Sequence, residues 1–241
     1  MTGALQELLA FVRAAVVDPV ERDHHESDAA FRRRRVVAGV TLVLGTGLLA
    51  WALRIEPGNP TFYLATLGLA GIWATGSVLS GRLHLGRAHT RDGGVARPLA
   101  QSLALGTLLL AIFLAGSLIV ARIPALREPV EELLDHARFG SLPIVAALTA
   151  LNGIAEELYF RGALYAAIGR RHAVPISTFV YGLTTVGSGI PLLVLAAVAL
   201  GLVTALQRRV TGGILGPIIT HLVWSLGMLF LLPPMLAIGA S

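Results

Sequence analysis

Residues 98–121, PLAQSLALGTLLLAIFLAGSLIVA, contain no charged side chain and remain apolar over their whole length. A helix needs about 20 mostly apolar residues to cross the hydrocarbon core of a bilayer. Because a backbone in lipid must satisfy its hydrogen bonds within its own segment, such a stretch is expected to be helical. It therefore predicts a transmembrane helix and sets the fold class of the chain.

Six further stretches are mostly apolar, some of them marginally, and turns rich in Gly or Pro separate several of them. The seven predicted spans are residues 36–53, 60–80, 98–121, 142–169, 173–188, 190–206 and 213–232. The chain is 55% hydrophobic and only 14% charged, whereas soluble domains carry about 25% charged residues. It contains no cysteine, which excludes disulfides and thiolate metal sites. We predict an all-α, polytopic membrane helical bundle of about seven transmembrane helices, within a range of six to eight.

The basic residues indicate the orientation of the bundle. All nineteen are arginine, and arginine concentrates in cytoplasmic segments of membrane proteins. With the N-terminus inside, fourteen lie in cytoplasmic segments, four lie outside and Arg161 lies within a span. This distribution predicts an integral membrane protein with a cytoplasmic N-terminus. It also explains the pI of 10.6 without a nucleic-acid partner. The use of Arg over Lys, with abundant Ala, Gly and Leu, suggests a GC-rich genome and a bacterial plasma membrane.

The segments outside the spans complete the predicted organisation. Residues 1–35 form a cytoplasmic N-terminal segment with an amphipathic interfacial helix. The apolar residues of that helix share one face: Leu5, Leu8, Leu9, Val12 and Val16. The remaining parts are three transmembrane helices over 36–122, an acidic amphipathic connector over 123–141, core helices over 142–232 and a short tail over 233–241.

Ionisable residues inside the predicted spans are few: Glu156, Glu157, Arg161 and His221. A charge at mid-bilayer costs about 2.5–3.5 kcal/mol on insertion scales, so we expect these groups to face the bundle interior or a water-filled cavity. Glu157 and Arg161 are four residues apart, on one helical face, and are expected to pair. Glu156 lies about 100° round the helix without a partner from that spacing, which makes it the candidate general base.

Two motifs resemble a known family. The run Glu156-Glu157-Leu-Tyr-Phe-Arg161 fits the EExxxR motif of the CAAX protease and bacteriocin-processing (CPBP) intramembrane proteases, which include the type II CAAX prenyl endopeptidases. Residues 213–221, GILGPIITH, resemble the family's last motif, a helix in which Asn or Asp follows His by four residues. The resemblance covers roughly residues 142–230. It implies an endopeptidase that hydrolyses a peptide bond with glutamate-activated water.

The resemblance also implies a role for each matching residue. Glu156 is the implied base, and Glu157 with Arg161 is the implied supporting pair. His221 is the implied oxyanion donor or metal ligand. The implied partners are a membrane-associated peptide or protein substrate and the lipid bilayer.

Two positions depart from the family pattern. The middle motif of the family is Phe-x-x-x-His, and its best match here is Tyr181-Gly-Leu-Thr-Thr185, with Thr in place of His. In the last motif, Ser225 stands where Asn or Asp is expected. We interpret Tyr181, Thr185 and Ser225 as candidate residues lining the site. Glu156, Thr185 and His221 lie at similar depths along their predicted helices, so we expect them to meet in one cavity that opens toward the cytoplasm.

The motifs leave a metal cofactor undecided. Catalytic zinc usually has three protein ligands and one open position, and Thr is a poor substitute for His as a ligand. Glu156 and His221 are the candidate ligands of a divalent metal such as zinc. Glu157 could supply a third ligand, but adjacent helical positions converge poorly on one ion. The sequence therefore favours a hydrolase that uses glutamate without a metal.

Two other functions compete with the intramembrane endopeptidase. The missing His and Asn favour a catalytically impaired pseudoprotease that binds a peptide or a partner membrane protein in the same cavity. A small transporter could also place carboxylates in mid-membrane. The sequence favours the transporter least, because it has no repeated pair of broken helices.

Overall fold

The computed structural model describes residues 3–22, 24–169 and 171–240, so Arg170, one of the fourteen arginines assigned to the cytoplasmic side, lies outside the described residues. The α-helices are α1 Gly3–Val12, α2 Asp28–Ala52, α3 Thr61–Ser80, α4 Leu99–Val120, α5 Pro124–Arg138, α6 Leu142–Glu157, α7 Tyr165–Ile168, α8 Ala173–Thr185, α9 Pro191–Thr211 and α10 Leu215–Ala240. Three shorter helical stretches connect them: π-helical Arg13–Val17, π-helical Leu158–Leu164 and the 3₁₀ turn Val186–Ser188. A small antiparallel hairpin, β1 Ala88–His89 and β2 Val95–Ala96, lies between α3 and α4.

The lengths and hydropathies of the helices confirm the predicted fold class. Within the described residues, five helices are long and apolar enough to cross a membrane, namely α2, α3, α4, α9 and α10. A sixth is added if α5 and Leu142–Ile168, which meet at an angle of 112°, form one broken span. The chain is therefore an all-α, polytopic integral membrane protein.

Two of the seven predicted spans are not single full-length helices among the described residues: residues 142–169 count as a span only together with α5, and α8 is too short. Residues 173–188 were expected to span the membrane, but α8 has 13 residues. At about 1.5 Å per residue, such a helix is roughly 20 Å long, short of the ~30 Å hydrocarbon core.

The last helix extends beyond the predicted core: α10 continues through Pro233 and Pro234 to Ala240. The residues predicted as a tail are therefore helical as far as the structure describes them.

Small residues allow the helices to approach closely, as is usual in membrane bundles. On α2, a methyl group at Gly45 would lie 2.2 Å from the Trp73 ring of α3. On α10, a methyl group at Gly227 would lie 2.3 Å from Leu110 of α4. A methyl group at either glycine would therefore clash with the neighbouring helix unless the contacted side chain moved.

Backbone hydrogen bonds close one end of the bundle, where α3 and α9 end and α4 and α10 begin. Ile214 N donates to His84 O at 2.9 Å, and Arg87 N donates to Thr211 O at 2.9 Å. The N-terminal segment joins the same end, because Val20 N donates to Val210 O at 2.9 Å. We call this region, formed by residues 18–22, 24–27, 81–98 and 208–214, the basic end. Helix α5 lies at the opposite end.

Candidate active site

The EExxxR motif lies on the helical rod at the centre of the bundle. This rod consists of α6, the π-helical stretch Leu158–Leu164 and α7. Single π-helical turns inside α-helices occur frequently at functional sites. Tyr159 stacks on Trp73 of α3 with ring centroids 4.5 Å apart, and Phe160 contacts the Tyr181 ring of α8 at 4.6 Å. The aromatic contacts fix the rod between α3 and α8.

Glu157 is the central residue of the charged cluster, and its side chain is completely buried. Its Oε2 lies 3.2 Å from Arg161 Nε, which is the pair predicted from the i,i+4 spacing. Its Oε1 lies 2.8 Å from Nδ1 of His221 on α10. An ionised carboxylate only accepts hydrogen bonds, so Nδ1 of His221 carries a hydrogen. Glu157 therefore connects the rod to α10.

Glu156 faces a different neighbour. The Tyr181 hydroxyl on α8 donates a hydrogen bond to Glu156 Oε2 at 2.5 Å. Glu156 is partly exposed, whereas Glu157 is buried. The two adjacent carboxylates therefore differ in environment, as is common where two acids divide chemical and structural roles.

Arg161 is nearly completely buried and interacts on three sides. Its charge is paired with Glu157, and its guanidinium lies 4.6 Å from the centre of the Tyr181 ring, within cation–π range. Its backbone oxygen accepts a hydrogen bond from Arg208 Nε on α9 at 2.7 Å. These contacts hold the C-terminal part of the motif against α8 and α9.

The structure does not bring all the predicted residues to the cluster. The Thr185 hydroxyl donates to Gly182 O at 2.7 Å, within its own helix. Ser225 Oγ is buried, has no hydrogen-bond partner among the described residues and lines an apolar cavity. The residues joined by polar contacts are thus Glu156 with Tyr181, and Glu157 with Arg161 and His221.

Two residues near the cluster were not predicted as site residues. Asn152, one turn before Glu156, donates from Nδ2 to Thr66 O at 3.1 Å and to Leu148 O at 3.0 Å. A methyl group at Gly153 would lie 3.4 Å from Cδ2 of His221, so this glycine lets the imidazole pack against the rod. Asn152 could have been identified from the sequence, because it is a polar residue in an apolar span, four positions before Glu156. Nothing in the spacing indicates the contact of Gly153.

An apolar cavity of about 500 Å³ lies beside the cluster, toward α5. Its lining includes Thr149, two turns before Glu156, and Ser225, one turn after His221. Helix α5 contributes Val130, Leu133 and other side chains to its wall. This cavity is not the one predicted from Glu156, Thr185 and His221, because none of these three residues lines it. The amphipathic α5 folds back over the bundle and supplies the cavity wall there.

The donor set of the cluster does not fit a catalytic metal. Among the described residues, no group of three or more His, Cys, Asp or Glu side chains could hold a metal ion. His221 already uses Nδ1 to contact Glu157, and Glu157 is paired with Arg161. Glu156 and His221 remain as two candidate ligands, fewer than the three that catalytic zinc usually has.

Comparison with known proteins agrees with the two motifs. Residues 138–227 match the family model described as type II CAAX prenyl endopeptidase Rce1-like. This match confirms the predicted resemblance to the CPBP proteases over the segment that holds Glu156, Tyr181 and His221. No curated protein matches the chain, and no solved structure matches it.

Proposed function

We propose that this chain, a relative of the CAAX protease and bacteriocin-processing family over residues 138–227, is an intramembrane endopeptidase. It hydrolyses a peptide bond in a membrane-associated substrate with water activated by Glu156. The observation that supports this best is the pairing pattern of the two glutamates. Glu157 is committed to Arg161 and His221, while Glu156 is partly exposed and contacts Tyr181.

In this proposal, Glu156 accepts a proton from water as the water oxygen attacks the scissile carbonyl carbon. The carbonyl oxygen then carries the negative charge of the tetrahedral intermediate. Collapse of the intermediate breaks the C–N bond, and the leaving amine takes the proton back from Glu156. The Tyr181 hydroxyl holds one oxygen of Glu156, which leaves the other oxygen for the water.

His221 stabilises the oxyanion in the same proposal. Because Nδ1 donates to Glu157, Nε2 is the nitrogen that faces the substrate, and it donates a hydrogen bond when the ring is doubly protonated. Donors aimed at the developing charge are a major source of rate enhancement in such reactions.

The apolar cavity beside Ser225 supports a substrate that is itself embedded in the membrane. Its volume of about 500 Å³ could receive an apolar part of the substrate within two turns of Glu156.

The N-terminus is assigned to the cytoplasm in this proposal, because Arg22, Arg87, Arg97 and Arg209 lie at the basic end.

The pseudoprotease is the second candidate, and the Thr185 contact favours it. Position 185 carries a hydroxyl, which is a poor base and a weak metal ligand near neutral pH, and the hydroxyl hydrogen is donated to Gly182 O. The same fold would then bind a peptide or a partner membrane protein without cleaving it.

Cleavage of a quenched fluorescent peptide library by the detergent-purified full chain tests the proposal. We expect cleavage by the wild type and a loss of at least 100-fold on Glu156→Gln, the usual range for a general base. The matched control is Glu128→Gln, which removes an exposed carboxylate on α5 and should leave the rate unchanged. Chelator should also leave it unchanged. A wild type that binds library peptides but cleaves none of them supports the pseudoprotease.

A further inference from the structure

A second cavity, of about 470 Å³, lies at the basic end and plays no part in the proposed hydrolysis. It is bounded by the N-terminal segment, the loop after α3 and the end of α9. We call it the basic pocket. Its titratable lining residues are Glu21, Arg22, His24, His84, Arg87 and Arg97.

Positive charge predominates in and around the basic pocket. Arg22, Arg87 and Arg97 line it, against one carboxylate, Glu21. The nearby Glu26 is already bound to Arg34, whose Nε donates to both of its oxygens at 3.0–3.1 Å.

The pKa of His84, which lines the pocket, is shifted by the same positive charge. Burial lowers the pKa of His84, and the charges of Arg208, Arg82 and Arg34 lower it further, opposed by Glu26. The ring also stacks on His24 with centroids 3.6 Å apart. An anion in the pocket would offset this surplus of positive charge.

The pocket has a rigid backbone frame. A methyl group at Gly213 would lie 2.0 Å from the Leu85 carbonyl carbon, so the two loops touch through their backbones. Arg22 Nη1 donates to Arg209 O at 2.7 Å, which fixes the N-terminal segment against α9. A site held in this way loses little conformational entropy when a ligand binds.

The position of the pocket in the bundle brings it within reach of lipid. It lies where the candidate membrane spans α3 and α9 end and α4 begins, so we expect it at the level of the lipid headgroups. Basic pockets between transmembrane helices bind phosphate-bearing headgroups, and arginine forks match phosphate oxygens in two-point contacts. A volume of about 470 Å³ exceeds what a single carboxylate fills and leaves room for a phosphate with its substituent.

We propose that the basic pocket binds a phosphate-bearing anion, either the headgroup of an anionic lipid or a free phosphate compound. Arg87 and Arg97 contact the phosphate in this proposal, since both are exposed and line the pocket. The proposal does not depend on the chemistry of Glu156, so either one can fail alone.

Native mass spectrometry of the full chain in detergent tests whether the basic pocket binds a phosphate-bearing anion. The probes are phosphatidylglycerol, phosphatidylcholine and inorganic phosphate. We expect phosphatidylglycerol to bind more tightly than phosphatidylcholine, and the double variant Arg87→Gln, Arg97→Gln to weaken it roughly 25-fold, at about fivefold for each arginine. Competition by inorganic phosphate at millimolar concentration identifies a free phosphate ligand, and its absence identifies the headgroup.

The charge-matched control is Arg32→Gln, Arg33→Gln, which removes two exposed arginines of α2 that do not line the pocket. This control should bind phosphatidylglycerol nearly as the wild type does. Equal weakening in both double variants would mean unspecific attraction to an anionic surface and would overturn the proposal. Equal binding of the two lipids, with no binding of inorganic phosphate, would overturn it as well.

Discussion

The Tyr181 hydroxyl donates to Glu156 Oε2 at 2.5 Å and thereby joins α8 to the EExxxR rod. Tyr181 occupies the first position of the family's middle motif, and Thr185, the second position, turns its hydroxyl to its own helix. The polar contact that α8 makes with the candidate base therefore comes from position 181. Position 181 lies one helical turn before position 185, where the family pattern has His.

This relationship predicts the effect of Tyr181→Phe on catalysis. Loss of the hydroxyl leaves Glu156 less firmly oriented, so we expect kcat to fall about tenfold, or about 1.4 kcal/mol, with little change in KM. Tyr165→Phe is the matched control, since it removes a hydroxyl from a buried ring while the ring stays beneath Arg208. Steady-state kinetics with a peptide from the library check both variants. A rise in KM at constant kcat would instead assign Tyr181 to substrate binding.

The buried pair predicts a large stability effect for Glu157→Gln. This variant leaves Arg161 buried without a counter-charge, so we expect the free energy of unfolding to fall by about 3–5 kcal/mol. Adding Arg161→Met should recover a large part of that loss, because the unpaired charge is then gone. Denaturant titration of the wild type and the two variants in detergent measures this. A loss below about 1 kcal/mol would instead be typical of an exposed ion pair.

The close approach of two loops predicts intolerance at Gly213. Its added methyl group would lie 2.0 Å from backbone atoms of Leu85, which cannot move as a flexible side chain would. We expect Gly213→Ala to lower the melting temperature strongly. Gly71→Ala on α3 is the control, because a methyl group there meets nothing within 4 Å. Ala also favours helix over Gly by about 1 kcal/mol. Similar melting temperatures for the two variants would contradict the loop contact.

The ion pair at the basic end predicts a pH-dependent contribution to stability. The hydrogen bond from Arg34 lowers the pKa of Glu26 below its ordinary value of 4.5. A lowered pKa of a carboxyl group stabilises the fold above the ordinary value, and this contribution is lost as pH falls through the folded-state pKa. We therefore expect Glu26→Gln to destabilise by about 1–3 kcal/mol at pH 7, since Arg34 is buried, and by progressively less below pH 4.5. A difference that stays constant from pH 7 to pH 3 would contradict this origin.

The sequence alone predicted the membrane class and the pairing of Glu157 with Arg161, because both depend on local patterns. Hydropathy over about 20 residues identifies a span, and an i,i+4 spacing places two side chains on one helical face. The shortness of α8 could not be predicted in this way. Residues 173–188 are apolar throughout, but the helix gives way to a 3₁₀ turn at Val186.

Contacts between side chains of different helices could not be predicted from the sequence either. The bond of His221 to Glu157 and that of Tyr181 to Glu156 depend on how α8 and α10 rotate about the rod. Small residues permit close approach at such contacts, as that of His221 to Gly153 illustrates. The position of the apolar cavity depends on the 112° bend between α5 and the rod, which no local pattern specifies.

Hydrolysis in ¹⁸O-labelled water by the protein reconstituted in liposomes tests the central claim most directly. Wild type and Glu128→Gln should release product whose new carboxyl terminus contains one ¹⁸O atom, as expected for attack by water. Glu156→Gln should fold with an unchanged melting temperature and release product at least 100-fold more slowly. Product formation by Glu156→Gln at the wild-type rate would contradict the assignment of Glu156 as the base.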